Sequence, residues 1–173
     1  LLLLLVLTPL VAPEYWLAQL TFVLIYALAG LGLMLVAGFT GQFSIGHAAF
    51  LGVGAYAHAA FANMGVPFPI ALLLAAALSA GTGVVIGVPA LRVKGIYLGM
   101  ATLSFGFIVQ ELFARWDSVT GGNKGMHVKA PDIFGWKAES GEAFYYVCLI
   151  ITVLCTLGIL NLLRSSTGRA FVA

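Results

Sequence analysis

Long apolar runs separated by short polar interruptions organise this chain, at about residues 1–12, 15–37, 46–63, 68–91, 96–115 and 143–163. Most of them approach the roughly 20 residues that an α-helix needs to cross a hydrocarbon layer about 30 Å thick. None shows the ten-residue alternation of apolar and polar positions that marks a transmembrane β-strand. Only helices and closed barrels satisfy their backbone hydrogen bonds in lipid, so the pattern predicts an all-α, polytopic transmembrane bundle of about six helices. A glycine-rich break, GFTGQFSIGHAAFLG over residues 38–52, follows the second run.

Composition agrees with the pattern. The chain is 62% hydrophobic and 8% charged, with a mean hydropathy of +1.09, whereas an ordinary soluble domain carries roughly 25% charged residues. Lipid has to be the main solvent. The formal charge of +2 and the lack of a basic cluster exclude a nucleic-acid binder. Cys148 and Cys155 lie seven residues apart on one apolar run and read as packing residues.

Leu1 opens the sequence without the basic flank of a signal peptide, and RSSTGRAFVA at the end regains polar and basic character. The expectation is one domain over 1–173, C-terminally incomplete, belonging to a longer chain. Lysine and arginine do not settle topology by number. With an internal N-terminus, Arg92, Lys94, Arg164 and Arg169 fall inside, and Arg115, Lys124, Lys129 and Lys137 fall outside. The inner groups are denser and closer to helix ends, which favours that orientation. Residues 116–142 form a segment of roughly 27 residues, longer than the 12–15 at which structureless loops become uncommon. With turn formers and two tryptophans, Trp116 and Trp136, it reads as an external loop. Glu111 and Arg115, four apart, are expected to pair. The spacings Gly83/Gly87 and Gly95/Gly99 suit close helix packing.

The break after the second run concentrates polar atoms in an otherwise apolar chain. Gly38, Gly41 and Gly46 permit turns and close approach, Thr40, Gln42 and Ser44 offer hydrogen bonds, and a helix starting near Ser44 would present its N–H groups to an anion. Transporters use such interruptions at membrane depth to meet their substrates. An ordinary cytosolic turn capped by Ser44 fits the spacing equally well. His47 and His58 are eleven residues apart, three helical turns, and a shared cavity or plain packing both accommodate that. No third and fourth ligand accompany them, so no metal site is expected. Ser44 and His47 also raise an intramembrane serine hydrolase, but the G-x-S-x-G pattern is offset by one residue. TGGNKG at 120–125 is not a nucleotide loop, because Gly125 stands where serine or threonine should follow the lysine.

Two long stretches resemble a known family. GLGLMLVAGFTGQFSIGHAAFLGVGAYAHA (30–59) is similar to the signature of branched-chain amino acid permeases, the LivM-type membrane subunits of binding-protein-dependent ABC importers. PALRVKGIYLGMATLSFGFIVQELFARWDSVTGGNKGM (89–126) resembles the same family's basic turn, following helix and T-G-G-x-x-G loop, in the same order. Where some members carry acidic residues, near Ile96 and Phe107, this chain is apolar. The related urea permeases share the pattern and keep another small polar solute open as substrate.

The resemblance implies that Thr40, Gly41, Gln42, Ser44, Gly46 and His47 line or shape a substrate path. It implies that Thr120, Gly121 and Gly122 sit on the external face, in the external loop, and that Ser165, Gly168 and Arg169 lead into the ATPase contact. It further implies a non-enzymatic transport subunit of the bacterial inner membrane without a cofactor of its own. ATP would be used by two cytosolic ATPase subunits, alongside a homologous permease subunit and a periplasmic or extracellular substrate-binding protein. Arg92, Lys94 and Arg164 to Arg169 would then be cytosolic.

Overall fold

The computed structural model describes residues 2–11, 13–39, 41, 44–90, 92–93, 95–128, 132–133, 136–137, 141–165 and 168. Helices occupy all six apolar runs: α1 (Leu2–Val11), α2 (Glu14–Leu33), α3 (His47–Asn63), α4 (Phe68–Ala90), α5 (Ile96–Arg115) and, after the short α6 (Asp117–Thr120), α7 (Gly141–Arg164). Among the described residues the one strand pairing is a two-residue antiparallel ladder, with Asp132 opposite Lys137 and Ile133 opposite Trp136.

Four segments among the described residues are long and apolar enough to cross a membrane: Glu14–Gly38, Phe68–Val88, Ile96–Arg115 and Gly141–Arg164. Their surfaces are hydrocarbon; Leu73, Val85, Ile96 and Tyr97 are 71–78% exposed. Apolar area on this scale is stable only against lipid or another protein. The fold is the all-α multi-pass membrane protein expected from the sequence. Beyond Leu33 the α2 backbone loosens into a π-wound segment, Met34–Phe39, in which each N–H reaches one residue further back than in an α-helix.

The chain divides into two compact units, Leu1–Thr40 with Ala138–Ala173, and Gly41–Lys137. In the first, α2 and α7 begin side by side, with Glu14 Cγ 3.7 Å from where a Cβ on Gly141 would stand. Leu17, Leu24, Tyr145 and Leu149 form its core. Pro9 lies inside α1 and has no N–H to give the Leu5 carbonyl one turn back. That carbonyl accepts instead from the Tyr145 hydroxyl at 2.9 Å and the Thr8 hydroxyl at 2.6 Å.

In the second unit α3 and α4 pack antiparallel. Ser79 Oγ donates to the Phe50 carbonyl at 2.9 Å, and the His58 ring meets Phe68 edge-on at 5.0 Å. Gly83 sits in this seam, where a Cβ would lie 3.9 Å from the Phe50 ring, whereas one on Gly87 would meet nothing within 4 Å. Helices α3 and α5 run parallel in fixed register. Ile45 meets Thr102 and Tyr56 meets Phe113, and both pairs are 57 residues apart in sequence.

Candidate functional site

The glycine-rich break ends where the chain crosses α5. A Cβ on Gly46 would overlap the Thr102 carbonyl oxygen, and one on Gly106 would stand 3.7 Å from Gly46 Cα, so the two backbones touch without side chains between them. The Ile45 N–H donates to Thr102 Oγ1 at 3.1 Å, and that hydroxyl in turn donates to the Gly99 carbonyl at 3.0 Å. Helix α3 therefore starts at His47 behind Gly46, with no side-chain cap. The start expected near Ser44 falls three residues on, at His47, and the Ile45 amide ahead of it is satisfied by α5. Gly41 takes the left-handed conformation at φ +65°. His47 and Ser44 are half-buried, and Gly38 lies in the π-wound segment. Thr40 and Gln42 lie outside the described residues.

The T-G-G loop turns inward. Thr120 is 2% exposed, and its hydroxyl is shared between the carbonyls of Phe113 at 2.6 Å and Trp116 at 2.8 Å while accepting from the Gly122 N–H at 3.2 Å. It thereby satisfies the Phe113 carbonyl at the end of α5 and adds to the Val119 and Thr120 amides that the Trp116 carbonyl already accepts. Gly121 and Gly122 follow at φ +70° and +56°. A Cβ on Gly121 would overlap the Gly125 carbonyl, and one on Gly122 would overlap Asp117 Oδ1. Side chains are excluded at both by backbone hand and by space.

These two motifs meet around one cavity of about 650 Å³ between α3 and α5, within the 300–1,000 Å³ usual for small-molecule sites. Of the residues singled out from sequence, Gly46 and Gly122 line it; Gly41, Ser44, His47, Thr120 and Gly121 do not. Ile45, Leu103, Gly106 and Phe107 line one end, and Tyr56, Gln110, Phe113 and the Gly122–Gly125 loop with Lys124 line the other. Sequence reasoning met Phe107 only as an apolar position and passed over Gln110. Gln110 had a readable signal, a lone amide in an apolar run. A second groove of about 530 Å³, lined by Phe61, Leu74, Leu78, Gly81, Thr82 and Val85 among others, offers a solute little to bond, since the Thr82 hydroxyl is taken by the Ser79 carbonyl.

Other candidates have structural duties. Ser165 Oγ donates to the Leu162 carbonyl at 2.6 Å and accepts from the Gly168 N–H at 3.4 Å, closing the end of α7; Arg169 lies outside the described residues. Glu111 and Arg115 form the expected ion pair on the exposed face of α5. His58 packs on Phe68, and neither it nor His47 reaches the cavity.

The described residues make a helical multi-pass membrane protein with a solute-sized groove between two parallel helices, and the sequence match places it in the class of permeases. The chain belongs to the family described as branched-chain amino acid transport system / permease component, whose sequence model matches residues 15–173. It is 32% identical, over 88% of its own length, to the high-affinity branched-chain amino acid transport system permease protein LivM of Salmonella typhimurium strain LT2. It is 31% identical over the same share to the Escherichia coli K12 protein of that description. It spans 42% of the length of each of these relatives. No solved structure matches.

Proposed function

We propose that this chain forms part of the translocation path of a binding-protein-dependent ABC importer for branched-chain amino acids in the bacterial inner membrane. The observation that carries the reading is the α3–α5 groove, where the family's two sequence signatures converge in a chain of permease ancestry. The groove is amphipathic, as a substrate with an apolar side chain and a charged backbone requires. Gly46 and Gly106 set the closeness of the two helices, and Gly122 lets the loop approach the groove. Gly41, Ser44 and His47, with Thr40 and Gln42, shape the entry to α3. Thr120 and Gly121 hold the loop, on the external side.

The chain performs no covalent chemistry and carries no cofactor. Two cytosolic ATPase subunits hydrolyse ATP and engage the region of Ser165, Gly168 and Arg169, a homologous permease subunit completes the path, and an external binding protein delivers the substrate. Nucleotide-driven closure of the ATPases shifts the helices between inward- and outward-open populations. The test is uptake of leucine and of urea by the assembled transporter, with and without ATP, for wild type and Gly46→Val. ATP-dependent leucine uptake that Gly46→Val abolishes in an intact complex supports the reading. Urea uptake without leucine uptake replaces the substrate, and covalent labelling of Ser44 by a serine-directed probe replaces the class.

A further inference from the structure

We propose that Lys124 is a specificity-determining residue that binds the carboxylate of the transported amino acid at one end of the α3–α5 groove; this rests on the reading of that groove as the substrate path. Because α3 and α5 are parallel and in register, the lining residues can be ordered along the groove from sequence position alone. From Ile45 and Leu103 through Gly106 and Phe107 the walls are apolar or bare backbone. Every polar side chain among the described lining residues, the Tyr56 hydroxyl, the Gln110 amide and the Lys124 ammonium, falls at the opposite end. Lys124 is the one charged residue among them.

The loop that carries Lys124 is not a loose tether. Thr120 ties it to the end of α5, and a 3₁₀ turn over Gly122–Lys124 closes with the Gly125 N–H donating to the Gly122 carbonyl at 3.1 Å. Among the described residues the one ion pair is Glu111–Arg115. The Asp117 carboxylate abuts Gly122 but does not line the groove. Lys124 thus lines a cleft to which no described acidic residue contributes, and Tyr56 and Gln110 line the same end, where their polar groups can complete the hydrogen bonds of a bound carboxylate. An amino acid fits in one polarity: carboxylate at Lys124, apolar side chain toward Phe107, Leu103 and Ile45. A neutral solute such as urea has nothing to gain from the lysine.

The experiment is leucine uptake at sub-saturating concentration by the complete transporter in proteoliposomes, with the amount of assembled complex measured by size exclusion. Lys124→Arg is expected to stay within about threefold of wild type, and Lys124→Met to fall at least tenfold, although methionine keeps most of the lysine stem. Lys124→Cys is expected to be as slow as Lys124→Met, to recover when alkylated to a positively charged side chain, and not to recover with a neutral one; wild type treated with both reagents controls for Cys148 and Cys155. A packing role for Lys124 would not follow charge in this way. Wild-type uptake by Lys124→Met, or equal loss in the Arg and Met variants, overturns the proposal while the transport reading stands. A wild-type complex that moves no leucine overturns both.

Discussion

Tyr145 supplies the Leu5 carbonyl with a donor that Pro9 cannot give. The Tyr145 hydroxyl reaches it at 2.9 Å from 140 residues away, and its ring is completely buried between α1 and α7 beside Leu17. The proline gap in α1 is thus a socket that fixes α1 on α7. Tyr145→Phe should lower stability by about 0.5–1.5 kcal/mol, the net value of one hydrogen bond. Pro9→Ala, which restores a helical donor, should recover most of that loss in the Phe background. Thermal unfolding of the four proteins of this cycle in detergent checks the coupling, and strict additivity of the two substitutions would refute it.

Gly46→Ala places a methyl group against the Thr102 carbonyl, a backbone atom that cannot swing aside. Overpacking of this kind costs about 1–3 kcal/mol, and separation of α3 from α5 should lower leucine uptake at least tenfold. Gly81→Ala is the matched control, since a Cβ there meets nothing within 4 Å inside α4. It should leave uptake unchanged and raise stability by up to about 1 kcal/mol through helix propensity.

Removal of the Thr120 hydroxyl strands the Phe113 carbonyl and the Gly122 N–H, whereas the Trp116 carbonyl keeps the amides of Val119 and Thr120. Thr120→Val should therefore cost about 1–3 kcal/mol, the penalty for buried polar groups left unpaired, while Thr120→Ser should retain most of the stability. Hydrogen exchange at the Gly122 amide is the direct readout: fast in Val, slow in Ser and wild type.

Three glycines of the same loop separate backbone strain from crowding. Gly125 sits at φ +72° with open space around its missing Cβ, whereas Gly121, at φ +70°, would strike the Gly125 carbonyl. Gly125, with ψ 177°, lies in a region essentially reserved for glycine, so Gly125→Ala should cost about 1–3 kcal/mol through backbone strain alone. Gly121→Ala should exceed it, and Gly122→Ala should be relieved in part by Asp117→Ala, whose carboxylate it would strike. Equal unfolding temperatures for the 121 and 125 variants would contradict this account.

Glu111→Gln should change little. The Glu111 and Arg115 side chains are 60% and 81% exposed, and a pair so open to solvent contributes about 0–1 kcal/mol. Unfolding at low and high salt should coincide for wild type and variant.

The helices were legible in the sequence because lipid imposes a length on apolar runs that loops do not share; the run at 46–63 became His47–Asn63 and that at 143–163 became Gly141–Arg164. The π-wound turn at Met34–Phe39 was not, since a shift in hydrogen-bond partner leaves hydropathy untouched. Gly46 was legible as a point of close approach, but its partner Thr102 lies in another helix and no spacing announces it. The burial of Thr120 was not read from sequence; its position just past the end of α5, where the Phe113 carbonyl needs a donor, is the signal for it. Lys124 read as an aqueous loop residue, and only the fold brings it to a cleft with Tyr56 and Gln110.

Helices α3 and α5 are fastened at two rungs, Ile45 to Thr102 and Tyr56 to Phe113, about 16 Å apart at 1.5 Å per residue. These two rungs bracket the trough that opens between the helices. Whatever seats along this seam has that span to fill between one rung and the next.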